Sequence, residues 1–188
     1  MNMENRFRVY HSGFAKIEVP DLHRGRKNAD FGQGFYVSRN EEFARRWARY
    51  RRGETTYINI YELDLQGLKV LELQRDRTWF SYIFNNRRHR KDRYGEYDII
   101  VGPIANDTIY DTFGIITSGV LTDEEALSLL LLGPAYEQIV LKTDRCLDHL
   151  KWIKTEILSP ETIERCRTIV AEEEKEYQEA VVEQMKLF

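Results

Sequence analysis

Cysteine is scarce in this chain. Cys146 and Cys166 stand alone, with no CxxC and no partner pattern, so a disulfide scaffold is not expected and a reduced, cytoplasmic setting is. Histidine is nearly as sparse: His11, His23, His89 and His149 lie far apart and show neither HExxH nor Cys/His spacing, which speaks against a metal centre. No apolar run approaches the length of a membrane span, and Met1-Asn2-Met3-Glu4-Asn5-Arg6 lacks the apolar core of a signal peptide. The GxxxxGK[ST] loop, the GxSxG elbow and a GxGxxG following a strand are all missing, which removes the P-loop, hydrolase and Rossmann readings. Charge of one sign is not in excess either. With 28 basic and 31 acidic residues the net charge is −3, so no global attraction to polyanions follows. Repeats, low-complexity tracts and flexible linkers are absent.

What is present describes an ordinary folded protein. Hydrophobic residues make up 42% and charged residues 31% of 188 positions, enough for one domain with a real core. Strands are expected at Phe7–His11, Gly34–Ser38, Thr56–Leu65, Leu68–Leu73, Tyr97–Val101 and Glu137–Lys142. The third and fourth, joined across Gln66-Gly67, read as a β-hairpin. Asn40 with Glu41 and Glu42 caps a helix whose apolar positions are Phe43, Ala44, Trp47 and Ala48. Arg77–Asn85 and Thr108–Thr117 read as helices. Thr122-Asp123-Glu124-Glu125 is a capping box ahead of Ala126–Leu132. Asp144–Lys151 is a short helix or turn. Ser159-Pro160-Glu161 opens a last helix with a narrow stripe of Ile163, Cys166, Ile169, Val170, Tyr177, Val181 and Met185. Strands and helices do not alternate regularly, so the expected class is α+β with a split mixed or antiparallel β core, flanking helices and a C-terminal helix.

The most informative stretch is Asn28-Ala29-Asp30-Phe31-Gly32-Gln33-Gly34-Phe35-Tyr36-Val37-Ser38. Its glycines permit a tight bend and close backbone approach to a ligand. The strand then aims Tyr36 into that bend, with Phe35 and Val37 on the opposite face. Upstream stands Tyr10-His11-Ser12-Gly13, and far downstream Glu137-Gln138-Ile139-Val140. A Tyr-His at the end of a first strand, then GxG-[aromatic]-Tyr on a second, then a helix carrying Ala44 and Trp47, resembles the histidine–tyrosine branch of the ADP-ribosyltransferase superfamily.

The chain is most similar to a bacterial family known as domain of unknown function 3990. Arg26-Lys27-Asn28 with Asp30 through Tyr36 carries the likeness, joined by Tyr97-Asp98-Ile99-Ile100-Val101-Gly102-Pro103-Ile104 and Gln138-Ile139-Val140-Leu141-Lys142-Thr143. It covers roughly residues 8 to 153. The expected division is therefore an ADP-ribosyltransferase-like domain over 6–153 and a helical extension over 159–188.

The resemblance implies NAD as substrate, no metal, and transfer of ADP-ribose to a protein or nucleic-acid acceptor. His11, Tyr36 and Gln138 would be the catalytic set. His11 would bond the adenosine ribose, the backbone of Ser12 and Gly13 would hold the carboxamide, and Tyr36 would stack on the nicotinamide ring. Trp47 would supply a second aromatic wall, Ala44 a small neighbour, Gly34 the close backbone approach, and Arg26 and Lys27 the pyrophosphate contacts. Two departures stand out. The usual His-Gly-[Ser/Thr] reads His11-Ser12-Gly13, and the third signature position carries Gln138, a dipole where active members bring a glutamate. Glu137 precedes it, but the period of two along a strand points it the other way.

Other readings stay open beside this one. Without the third-position glutamate, the chain could be a catalytically inactive nucleotide- or nucleic-acid-binding module of the same fold. The arginine clusters (Arg45, Arg46, Arg49, Arg51, Arg52; and Arg87, Arg88, Arg90, Lys91, Arg93) read first as solvated faces, second as phosphate-backbone contacts. The last helix packs back on the domain or docks a partner, and by analogy a toxin–antitoxin system with an antitoxin bound there is expected. No membrane partner is expected.

Overall fold

The computed structural model describes residues 5–48, 51–105 and 121–187. Among the described residues, seven strands form two sheets. The first is antiparallel, with β1 (Arg6–Gly13) and β7 (Leu150–Ile157) flanking β3 (Tyr57–Asp64). The second runs in the order β2 (Phe35–Val37), β6 (Glu137–Leu141), β5 (Ile99–Pro103), β4 (Val70–Glu72), and only β4 and β5 are parallel. Helices α1 (Glu41–Arg46), α2 (Arg77–Arg87), α3 (Asp123–Leu130) and α4 (Pro160–Met185) pack around them, and a 3-10 helix (Asp144–His149) leads into β7. The class is α+β with mixed and antiparallel sheets and a C-terminal helix, as the sequence indicates.

The alternation of the strands explains the layers. On β5 and β6, Ile99, Val101, Ile139 and Leu141 point one way, into a cluster with Val9, Tyr61 and Leu63 of the first sheet. Ile100 and Val140 point the other way, against Trp79, Ile83, Leu130 and Tyr177 of the helices. Both faces of these two strands are buried, which is why their sequences are continuous apolar runs rather than alternating ones. A third cluster, of Ala44, Ala48, Ile58, Leu158 and Ile163, seats α1 and the start of α4 against the first sheet.

The helix starts follow their sequence signals. The Asn40 side chain accepts from the Phe43 amide at 3.0 Å, Ser159 accepts from Thr162, and Thr122 with Glu125 closes the capping box. The start of α2 is capped in the same way by Asp76, through the amides of Thr78 and Trp79.

The expected hairpin does not form. β3 has both edges occupied, by β1 and β7, so β4 has no edge there to join. The chain turns at Gly67 (φ 79°) and passes into the other sheet, where Val70 pairs with Ile99 in parallel and α2 makes the crossover. β7 has no counterpart among the strands expected from sequence. It is an edge strand interrupted by Lys151, Lys154 and Glu156, with Ile153 and Ile157 exposed, and its polar content hides the alternation. The expected helix at Thr108–Thr117 lies outside the described residues.

The last helix packs back on the domain through Ile163, Cys166 and Tyr177, and the Tyr177 hydroxyl donates to the Leu129 carbonyl at 3.1 Å. Replacing Tyr177 by alanine should cost about 3 kcal/mol of unfolding free energy in urea. Val182→Ala, at an exposed position of the same helix, should stay within about 0.5 kcal/mol.

Candidate functional site

The two sheets meet at one bridge. Tyr10 and Ser38 exchange backbone hydrogen bonds of 2.9 and 3.0 Å, laying the end of β1 beside the end of β2. A cleft of about 330 Å³ opens at this seam, at the small end of ligand-binding cavities. His11, Ser12 and Gly13 line it from β1, Tyr36 from β2, Gln138 from β6, and Phe43, Ala44 and Trp47 from the α1 region.

Asn28, Ala29 and Asp30 line one wall, and behind it the irregular segment continues through Phe31, which is fully buried, and Gly32. A buried segment with no ladder must give its peptide groups to side chains. Asn86 donates to the Asp30 carbonyl at 2.9 Å. Lys142 donates to the Phe31 carbonyl at 2.5 Å, and the Tyr82 hydroxyl lies 3.2 Å from the same oxygen. The Tyr36 hydroxyl donates to the Gly32 carbonyl at 2.7 Å while accepting from the Phe31 amide at 3.0 Å. Gly32 has φ 79°, and a Cβ there would lie 2.8 Å from an Asp92 carboxylate oxygen that Lys142 also holds. Burial, and then the Asp30 charge, push the Tyr36 phenol well above its ordinary range, so it stays protonated and the ring plane is set by both bonds.

His11 is placed by the same strand. Its Nδ1 lies 2.8 Å from the Tyr36 carbonyl oxygen. Burial lowers its pKa below the ordinary 6.5, against a smaller upward pull from that carbonyl, and the ring is neutral near pH 7. A carbonyl only accepts, so the proton sits on Nδ1 and Nε2 keeps its lone pair for a donor such as a hydroxyl. A Cβ at Gly13 would stand 3.4 Å from Nε2, so a glycine keeps that acceptor open. The Ser12 hydroxyl donates to the Ala44 carbonyl at 2.5 Å, which ties α1 to the end of β1.

Gln138 faces Gly102 across the β5–β6 ladder, and its amide nitrogen lies 3.3 Å from Asp30 Oδ2. Arg87, whose side chain is 4% exposed, holds Asp30 Oδ1 through Nε at 2.7 Å and a terminal nitrogen at 2.5 Å. The Ala105 amide donates to Oδ2 at 3.1 Å. Glu137 is exposed and off the cleft, in keeping with the strand period.

Of the residues expected from sequence, the cleft gathers His11, Ser12, Gly13, Arg26, Tyr36, Ala44, Trp47 and Gln138. Lys27 and Gly34 do not line it. A Cβ at Gly34 would lie 2.5 Å from the Leu141 carbonyl, so its close approach is to β6 rather than to the cleft. Trp47 lies beyond the end of the helix to which the sequence pattern assigns it. α1 ends at Arg46, and Trp47, as the C-cap, is 41% exposed at the cleft with its ring edge-on to Phe43.

Most described members of the arginine clusters (Arg51, Arg52, Arg88, Arg90, Lys91 and Arg93) are exposed, while Arg45, Arg46 and Arg87 are held in ion pairs. Arg45 pairs with Glu41 and Glu156, and Arg46 with Tyr136 and Glu173. Asp30, to which the sequence assigned no role, and Arg87, grouped with the solvated arginines, both line the cleft. Arg87 had a detectable signal: it continues the four-residue spacing of buried Trp79 and Ile83 along α2. Arg49 and Tyr50 lie outside the described residues. Among the described residues there is no group of three or more His, Cys, Asp or Glu placed to hold a metal ion, and no helix is long and apolar enough to cross a membrane.

The class defined so far is an α+β domain with an aromatic and polar cleft at the joint of its sheets. Residues 7–152 match the family described as protein of unknown function (DUF3990), and the chain belongs to that family. No curated protein and no solved structure matches it.

The His11 burial predicts a pH dependence. Its pKa is lower folded than unfolded, so on acidification the unfolded chain takes up a proton that the native ring refuses. Stability should fall as pH drops below about 6.5 towards the native value. A His11→Asn variant should lose that component, read from urea midpoints across the range, while two-dimensional NMR should show the His11 ring titrating below the ordinary 6.5.

Proposed function

We propose that this protein is an ADP-ribosyltransferase-like enzyme that binds NAD in the cleft and transfers ADP-ribose to a macromolecule. The observation that carries the reading is the convergence of His11, Tyr36 and Gln138, separated by 25 and 102 positions in sequence, on one cleft. The residues fit the dinucleotide. Neutral His11 offers Nε2 to a ribose hydroxyl, and Tyr36 and Trp47 are the aromatic groups for a flat cationic ring, where stacking and cation–π attraction contribute on the order of 1 kcal/mol each. Arg26, exposed at the cleft, suits a phosphate.

In the reaction the ribose–nicotinamide bond breaks, its electron pair leaves with the ring nitrogen, and positive charge moves onto the ribose. Gln138 supplies the negative end of a dipole to that charge, a contribution that needs fixed geometry to be worth much. A volume of about 330 Å³ suits the nicotinamide-riboside half, with the rest along the open side.

Incubation with NAD labelled in the adenosine should yield free nicotinamide and label on an acceptor from cell extract. Tyr36→Ala and His11→Ala should each lower the rate about 100-fold or more, whereas Tyr36→Phe, which keeps the ring, should stay within about tenfold. The absence of a carboxylate at position 138 favours a second reading, a silent nucleotide-binding module. Calorimetric NAD binding without nicotinamide release would select it, and the absence of binding would overturn both.

A further inference from the structure

We propose that Asp30 is the positioning residue of Gln138: it sets the amide so that Oε1, not the nitrogen, is the atom turned towards the rest of the cleft. The inference rests on the NAD reading for its consequence but on geometry for its content. An ionised carboxylate accepts and cannot donate, so of the two ends of the Gln138 amide only Nε2 can face Asp30 Oδ2 at 3.3 Å. Oε1 then points the other way. Without such a partner an amide turns freely, and as often presents N–H donors, the wrong pole for a developing cation.

Asp30 is held for this task from several sides. Arg87 of α2 occupies Oδ1 with two nitrogens, and the Ala105 amide shares Oδ2 with Gln138. Asn86 holds the Asp30 carbonyl, and so fixes the backbone that carries the carboxylate. With both oxygens occupied, Asp30 is not free to act as nucleophile or base. The described charged and titratable groups facing it are the Arg87 guanidinium from α2 and the Tyr36 phenol from β2. The Arg87 charge offsets that of Asp30, so its part is to orient the dipole rather than to add a net negative charge. A glutamine at the third signature position is thereby a fixed dipole and not a solvated strand-edge residue.

The test uses the full chain and two variants. Gln138→Glu leaves Asp30 and its Arg87 anchor in place and sets two carboxyl groups at the distance of a hydrogen bond. They should share a proton, with an apparent pKa raised by about one unit or more. Because the folded value is raised, the stability of Q138E should be full at low pH and fall, relative to the parent, as pH rises through it, read from urea midpoints between about pH 4.5 and 8. Asp30→Asn removes the acceptor-only partner and should lower kcat about tenfold with KM within about threefold.

The two readings fail separately. A parent protein that releases no nicotinamide, with Q138E still losing stability on the alkaline side, would overturn the NAD reading and support the pairing. Turnover by the parent together with a Q138E stability profile parallel to it, or with unchanged kcat in D30N, would overturn the pairing and leave the NAD reading standing. Should D30N not fold, the Q138E profile alone decides.

Discussion

A buried stretch of chain that belongs to no helix or sheet must find a partner for each of its peptide groups, and the segment Asp30-Phe31-Gly32 is where this protein meets that constraint. Its carbonyls are taken by Asn86, Lys142 and the Tyr36 hydroxyl, which come from α2, the end of β6, and β2. Each of these elements also gives a residue to the cleft, Arg87, Gln138 and Tyr36. Satisfying the segment and shaping the site are thus one act: the bonds that quench the backbone also lock the Tyr36 ring and bring Asp30 to Gln138. Removing the Tyr36 hydroxyl would take the partner from both the Phe31 amide and the Gly32 carbonyl, a loss larger than the ordinary worth of one hydrogen bond.

The second constraint is the bridge between sheets. Among the described residues only Tyr10 and Ser38 pair there, yet that contact sets the end of β1 against β2 and lets the Tyr36 carbonyl reach His11. One strand therefore serves both sides of the cleft, through its carbonyl and through its side chain. The wall opposite is steadied from farther away. α1 is held to β1 by Ser12 and to α4 by Arg46, which meets Tyr136 and Glu173. Phe43 stacks on Tyr136 with ring centres 4.5 Å apart. The C-terminal helix thus contacts, through α1 and Tyr136, the elements that carry Phe43, Ala44 and Trp47.

Local patterns in the chain were readable where the physics is local. Caps at Asn40, Thr122 and Ser159 act within one turn, and the apolar runs of β5 and β6 announce burial on both faces. The pairing of β4 was not readable, because a tight turn after β3 signals a reversal but says nothing about which edges are already taken. β7 escaped notice because an edge strand tolerates the charges that erase its alternation. At the site, His11, Tyr36 and Gln138 stood out through their motif context. Asp30 sat inside the same motif without an assigned role, since its meaning lies in Arg87, 57 residues away. Arg87 itself was grouped with surface arginines, although α2 turns it inward.

By itself, then, the sequence determined the class of the fold, most of its elements and the family to which the chain belongs, since periodicity, capping and a glycine-rich block depend on neighbours a few positions apart. The tertiary structure decided which strands share a sheet, that Trp47 stands exposed beyond the end of its helix, and that a carboxylate lies behind Gln138. Those outcomes depend on which groups from distant segments compete for the same buried space and the same hydrogen bonds, and that competition is resolved only when the chain has folded.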